Sequence, residues 1–202
     1  MLLFINNDNK PINESPTVKY CAKILEKFIG ESIIYHSKPD DLYYDVKDLS
    51  KIKGVIMSGS DLRIMEKQHI NYVLNNILPI IQLDVPILGI CYGMQMLGLL
   101  FKCKLNSFKK NREGRRILKF NNDKLFKNVD TSKKFYVTHN DYIENVSSII
   151  QIIAQDYRGL CYGIKHKELP IYGVQFHPER SGTHGKKIIK NFITMCNLKI
   201  ID

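Results

Sequence analysis

Short apolar runs alternate along this chain with segments whose apolar residues recur at helical spacing, a pattern that predicts strands separated by amphipathic helices. Leu2 to Asn6 reads as a first strand. Ser15-Pro16 then offers a helix start, with Ser15 as N-cap and Pro16 at the first helical position, where its missing N–H costs nothing. Val18, Cys21, Ala22, Leu25, Phe28 and Ile29 form one apolar face of that helix before Gly30 ends it. Glu31 to His36 is a second strand and Gly54 to Met57 a third, running into the turn Ser58-Gly59-Ser60. Ile64 to Leu83 is largely helical, and Pro86 to Ile90 is the next strand. The second half is richer in strands: Arg116 to Phe120, Phe135 to Val137, Ile149 to Ala154, Cys161 to Ile164 and Ile171 to Phe176. A final helix begins near His184 and continues through Ile188, Ile189, Phe192 and Ile193. The alternation implies an α/β fold with a mostly parallel central sheet flanked by helices, its site at the strand C-terminal ends. No linker, repeat or low-complexity segment divides residues 1–202, so a single domain is expected.

Two segments carry candidate chemistry. Pro86 to Leu97 reads PILGICYGMQML, an apolar run that turns at Cys91 into a helical pattern, with Gly89 and Gly93 removing the β-carbons that would crowd the bend. A cysteine at a helix N-terminus meets unpaired N–H groups and the positive end of the helix dipole, which favour the reactive thiolate. Ile171 to Glu179 reads IYGVQFHPE, a strand that delivers His177 and, two residues on, Glu179. His177 can move a thiol proton while the carboxylate fixes the imidazole tautomer. Pro178 stiffens the link between them. Taken singly, the first segment equally suits a buried cysteine in a tight corner, and the second a surface turn with a solvated carboxylate.

Together, GICYGMQ and GVQFHPE, in this order and at this separation, resemble the class I glutamine amidotransferases, the family with a Cys-His-Glu triad. The resemblance covers essentially the whole sequence and implies the flavodoxin-like fold of that family. It assigns Cys91 as nucleophile, His177 as acid and base, and Glu179 as the orienting carboxylate, with Gln95 and Gly59 at the bound glutamine. Backbone N–H groups of Ser60 and Tyr92 are the implied oxyanion donors. Ser58-Gly59-Ser60-Asp61 stands where the family usually has Ser-Gly-Gly-Pro. A non-glycine residue is penalised there if the loop needs positive φ, and losing proline loosens the turn. Weak basal activity, or dependence on a partner that orders the loop, is the expectation. Phe101-Lys102-Cys103-Lys104 replaces a glycine pair of many relatives, and Arg180 to Gly185 is compressed relative to the family pattern.

Val137-Thr138-His139-Asn140-Asp141, the stretch HKELPIYGVQFHPE and Arg112-Glu113-Gly114 are most similar to the glutaminase portion of the GMP synthetase branch. That likeness places His139, Asn140 and Asp141 in a loop with substrate or interface roles. Read locally, Asn-Asp after a strand is an Asx-type turn. The chain ends soon after its last helix and contains no Gly-x-x-x-x-Gly-Lys phosphate loop, so a separate synthetase is expected to bind the acceptor. The implied activity is hydrolysis of L-glutamine, the ammonia passing to that partner for amination of XMP to GMP in purine synthesis. Alternatives are the glutaminase subunit of aminodeoxychorismate or anthranilate synthase, a stand-alone γ-glutamyl hydrolase, or a non-catalytic regulatory or ligand-binding protein of the same scaffold. The glutaminase half-reaction calls for no metal and no cofactor.

Composition narrows the setting. With no transmembrane run and an opening apolar stretch too short for a signal peptide, the chain is expected in the cytoplasm without a membrane partner. Cys21, Cys91, Cys103, Cys161 and Cys196 are odd in number and widely spaced, which suggests neither a disulfide framework nor a zinc site. The formal net charge is +10, with basic clusters at Lys109-Lys110, Arg112, Arg115-Arg116, Lys133-Lys134 and Lys186-Lys187. These are distributed and unaccompanied by a nucleic-acid motif, so they read as solvated surface rather than a nucleic-acid site.

Overall fold

The computed structural model describes residues 1–31, 33–36, 49–66 and 77–201, of residues 34–36 the backbone alone. Four apolar runs form buried strands: β1 (Leu2–Ile5), β3 (Gly54–Met57), β4 (Ile87–Ile90) and β10 (Ile171–Val174). Strands buried along their whole length belong at the centre of a sheet covered on both faces. They lie in an eight-stranded sheet ordered β2-β1-β3-β4-β10-β9-β8-β6, in which β2 is Ile33–His36, β6 Lys119–Phe120, β8 Ile150–Gln155 and β9 Cys161–His166. From β2 to β10 the neighbours pair in parallel, and β9, β8 and β6 continue the sheet antiparallel.

Side-chain alternation divides the core. Leu2 and Phe4 of β1 face a layer built with Val18 and Leu25 of α1 (Pro16–Phe28) and Ile188 and Phe192 of α3 (Gly182–Met195). Leu3 and Ile5 point to the opposite layer, which includes Ile77, Ile80 and Met96 and Leu97 of α2 (Tyr92–Leu100). A separate antiparallel ribbon joins β5 (Lys104–Arg116) to β7 (Phe135–Asn145). Ser107 faces Asp141 and Arg112 faces His139, so residues 108–111 bulge from the ribbon.

The expected strands and helices are present with three corrections. First, β5 was not anticipated, and β7 continues through 145, so His139-Asn140-Asp141 lie within a strand rather than in a loop or an Asx turn. Pairing with β5 supplies the backbone partners that a turn would otherwise supply. Second, Ser15 stands at the start of α1 but does not cap it with its side chain; its hydroxyl donates instead to Asp8 Oδ2 at 2.7 Å. Third, of the helix expected over Ile64 to Leu83, residues 64–66 and 82–83 form turns, helix is found at 77–81, and residues 67–76 lie outside the described residues, as does Ser32 of the second expected strand. Smaller shifts put the end of β10 at Val174 and the start of α3 at Gly182, and the strand expected over Arg116 to Phe120 is divided, Arg116 ending β5 and only Lys119–Phe120 forming β6.

Candidate active site

Cys91 occupies the junction of β4 and α2 with φ of +51°, a strained backbone for a residue with a side chain. The bend is possible because backbone passes where side chains would be. A β-carbon on Gly89 would lie 2.5 Å from the Gly93 carbonyl carbon, and one on Gly93 would lie 2.6 Å from the Met57 carbonyl oxygen. The Cys91 N–H donates to the Val174 carbonyl at 2.7 Å, tying the elbow to the strand that delivers the histidine.

His177 follows β10 and is held from three directions. Its N–H donates to the Tyr136 carbonyl of β7 at 2.8 Å, and its carbonyl accepts from the Ser181 hydroxyl at 2.6 Å. Its Nδ1 lies 2.7 Å from Glu179 Oε1, with His177 2% and Glu179 1% exposed. Because the carboxylate can only accept, Nδ1 carries a proton, and Nε2, buried without a hydrogen-bond partner among the described residues, is left to give or take a second one at a reacting group. Burial opposes charge on this ring, but the neighbouring Glu179 and Cys91 outweigh it and raise the His177 pKa to about 10. Gly59 closes the arrangement: a β-carbon there would stand 3.0 Å from His177 Cε1 and 3.5 Å from Cys91 Cβ.

The Cys91 thiol donates to the Thr138 carbonyl at 3.6 Å, and its sulfur accepts from Gln175 Nε2 at 3.5 Å. Gln175 Oε1 in turn accepts from Gln95 Nε2, which also donates to the Asp141 carbonyl at 2.7 Å. The Gln95 amide nitrogen is thereby committed to the protein, leaving its oxygen for a ligand. Neither the Ser60 nor the Tyr92 N–H has an acceptor among the described residues. Ser60 does not adopt positive φ, so the conformational penalty expected of a non-glycine residue there is not incurred.

A cavity of about 200 Å³ brings together Ser60, Cys91, Tyr92, Gln95, His139, Asn140, Asp141 and His177, with Thr17, Arg63, Asn111 and Thr138 also in its wall. Glu179 and Gly59 stand behind the wall, against His177. The Asp141 carboxylate is fully engaged: Oδ1 accepts from Arg63 Nη2 at 2.9 Å and from Ser107 Oγ at 2.5 Å, and Oδ2 from the Met65 N–H at 3.3 Å. It fastens the chain after the Ser58-Gly59-Ser60 turn to the ribbon. His139 Nδ1 donates to the Asp141 carbonyl at 3.0 Å; burial, against the pull of that carbonyl and with His177 and Arg112 nearby, lowers its pKa to about 4. His139 is therefore neutral at physiological pH.

Gln175, Thr138, Arg63 and Ser107 are parts of the site that the sequence reading did not single out. Gln175 lay within the quoted GVQFHPE run, and its polar side chain inside an apolar strand was the available signal. Arg63 meets Asp141 across 78 positions of chain, for which no local signal exists. Among the described residues, no group of three or more His, Cys, Asp or Glu is placed to hold a metal ion, and no helix is long and apolar enough to cross a membrane.

Comparison with known proteins gives a consistent result. The family model for glutamine amidotransferase class-I matches residues 22–196. A glutamine-hydrolysing GMP synthase of Dictyostelium discoideum is 36% identical over 187 residues, covering 85% of this chain and 26% of the relative. One of Clostridium tetani is 36% identical over 150 residues, covering 73% of this chain and 29% of the relative. The chain thus spans between a quarter and a third of the length of these relatives. Among solved structures, a candidate GMP synthase subunit of Thermoplasma acidophilum superposes with a TM-score of 0.76 at 23% identity, covering 98% of this chain and 94% of that one. A glutamine amidotransferase of Thermotoga maritima superposes with a TM-score of 0.68 at 19% identity, covering 96% and 80%. These two likenesses establish the flavodoxin-like α/β fold.

Proposed function

The chain belongs to the glutamine amidotransferase class-I family, and we propose that it hydrolyses L-glutamine to glutamate and ammonia through Cys91, His177 and Glu179. The observation that carries this reading is the buried Glu179–His177 pair beside the Cys91 thiol, in the wall of a small cavity flanked by two unpaired backbone N–H groups. Cys91 Sγ attacks the side-chain carbonyl carbon of glutamine as a thiolate paired with protonated His177, whose raised pKa keeps a proton on Nε2. The carbonyl oxygen becomes an oxyanion, met by the Ser60 and Tyr92 N–H groups. The tetrahedral intermediate collapses as His177 protonates the amide nitrogen, which leaves as ammonia, and a γ-glutamyl thioester remains on Cys91. Water, deprotonated by His177, attacks the thioester to release glutamate and restore the Cys91 thiolate beside the protonated ring. Gln95, held by Asp141 and Gln175, offers its side-chain oxygen to the substrate, with His139, Asn140 and Asp141 shaping the pocket around it and Gly59 packing behind it against His177.

The relatives bear on the acceptor. Their GMP synthase names support delivery of ammonia to a synthetase that aminates XMP to GMP, and the subunit name of the Thermoplasma acidophilum protein supports a synthetase on a separate chain. The test is glutamate release from glutamine by the purified chain beside Cys91→Ala, with and without an XMP-aminating subunit supplied with ATP and XMP. Cys91-dependent release that rises with that subunit supports the reading. Release indifferent to it favours an aminodeoxychorismate, anthranilate or γ-glutamyl hydrolase branch. No release from a correctly folded chain overturns the enzymatic reading in favour of a regulatory or ligand-binding one.

A further inference from the structure

The Ser58-Gly59-Ser60 turn lacks the proline that would stiffen it, yet its polar groups are tied in a directed series. The Ser58 N–H donates to the Ile5 carbonyl at the end of β1 at 3.0 Å. The Asn7 N–H donates to Ser58 Oγ at 3.0 Å, and Asn7 Nδ2 donates to the Ser58 carbonyl at 2.6 Å. The Ser58 hydroxyl, oriented by the bond it accepts, donates to the Gly59 carbonyl at 2.8 Å. Ser58 and Asn7 are both buried.

The Gly59 carbonyl belongs to the same planar peptide as the Ser60 N–H. In a trans peptide the two groups point in opposite directions, and no cis bond occurs here. Fixing the carbonyl on the Ser58 hydroxyl therefore fixes the direction of the N–H, and a flip of that peptide would break the bond. We propose that Ser58, clamped by Asn7, is the positioning residue that aims the Ser60 N–H at the oxyanion, taking over by side-chain hydrogen bonds the rigidity that proline would give. Neither residue touches substrate, and the inference rests on the glutaminase reading above. The segment after β1 is organised to the same end. Asp8 N–H donates to Asn6 Oδ1 at 2.9 Å, Asn6 Nδ2 to the Lys10 carbonyl at 2.8 Å, and Ser15 gives its hydroxyl to Asp8 rather than to the helix it precedes. Asn7 is thus held within a folded polar loop.

The experiment compares the full chain with Ser58→Ala, Ser58→Thr, Asn7→Asp and Asn7→Ala together with Ser58→Ala, by glutamate release, by alkylation of Cys91 with iodoacetamide, and by affinity for the aldehyde analogue of glutamine. The aldehyde forms a tetrahedral adduct that needs the oxyanion donor, whereas alkylation needs only the thiolate. Ser58→Ala is expected to lower kcat by about ten- to a hundredfold, below the full loss of a donor, with KM changed by less than about threefold. Aldehyde affinity falls by a similar factor and the alkylation rate is unchanged. Asn7→Asp, in which an acceptor replaces the donor to the Ser58 carbonyl, loses rate in the same way. Ser58→Thr, which keeps the hydroxyl, recovers it, and the double variant loses no more than Ser58→Ala alone because the two act through one contact. Parallel losses of alkylation and kcat, or an unchanged kcat in both Ser58→Ala and Asn7→Asp, overturn the proposal while leaving an active wild type in place. A wild type that releases no glutamate overturns the glutaminase reading and this one with it.

Discussion

Replacing Glu179 with glutamine removes one negative charge from a fully enclosed pair while keeping its shape, and its effect can be worked out from the geometry. In the folded protein the His177 pKa is about 10 against an ordinary 6.5, because Glu179 and Cys91 overcome the cost of burying the ring. The sign of its effect on stability follows from proton counting. Between pH 6.5 and 10 the folded chain holds a proton at His177 that the unfolded chain has released, so the stability it contributes is complete below pH 6.5 and is lost as pH rises through 10. The slope of unfolding free energy against pH carries about −1.4 kcal/mol per unit from this one group. In Glu179→Gln, burial is no longer offset by the carboxylate, the His177 pKa falls back, and that slope is lost. Urea unfolding of both chains in a Cys91→Ala background, where no thiol at the site can supply the proton, at several values between about pH 6.5 and 8.5 measures it directly. With Cys91 in place, Glu179→Gln is expected to lose on the order of 10³ to 10⁴ in kcat, the scale for removing the charge behind a catalytic histidine. Parallel stability curves for wild type and variant would refute the account, since they would show that His177 is not held charged by Glu179.

Three further outcomes are expected. Gly59→Ala places a β-carbon 3.0 Å from Cε1 of a His177 ring that is pinned on three sides, so the ring is displaced and glutamate release falls at least about tenfold while the thermal midpoint changes little; release within about twofold of wild type contradicts the packing argument. Lys102 follows α2 at φ of +59°, its N–H donating to the Leu99 carbonyl and that of Cys103 to the Gly98 carbonyl, the position where helices usually end on glycine. Lys102→Gly is therefore expected to stabilise the chain by roughly 0.5–1 kcal/mol, raising the thermal midpoint by about 1–3 °C, and a lowered midpoint counts against it. His139, with its pKa lowered to about 4, stabilises the fold only while neutral, so this contribution is present above pH 6.5 and lost as pH falls through 4. Nitrogen NMR should find its ring protonated on Nδ1 and untitrated down to about pH 5; a midpoint near the ordinary value means the ring is not buried as described.

What could be read from the chain before folding was whatever a local pattern encodes. β1, β3, β4 and β10 are unbroken apolar runs, and the Gly89-x-Cys91-x-Gly93 elbow needs only its own residues and a close neighbour to be recognised. β5 resisted the same treatment because Lys104–Arg116 reads KLNSFKKNREGRR, a charged run in which a ribbon partner, not an apolar face, holds the strand. β7 was curtailed because Asn140 and Asp141 are residues that turns prefer, and only the pairing of Arg112 with His139 and Ser107 with Asp141 keeps them extended. Ser15 shows the same limit in miniature: it has the right type and place for a cap, but Asp8 competes successfully for its hydroxyl.

The oxyanion turn is where local reasoning about the site reached its limit. From sequence, serine in place of glycine and aspartate in place of proline point to a strained and loosened loop. The strain is absent, because Ser60 keeps a negative φ, so weak basal activity does not follow from that substitution. The looseness is countered from both ends of the loop by side chains remote in sequence. Asn7 and the Ser58 hydroxyl hold the turn's beginning against β1, and Asp141 holds Arg63 and the Met65 N–H against β7. The same Asp141 fixes Gln95 through its carbonyl, and Gln95 reaches the Cys91 sulfur through Gln175. The chain after the Ser58-Gly59-Ser60 turn, Gln95 and Cys91 therefore share one network of polar contacts. A proline could stiffen the turn by itself; this network makes the turn's rigidity depend on the ribbon, so a contact that shifts β5 or β7 would be felt at the Ser60 N–H and at Cys91 together.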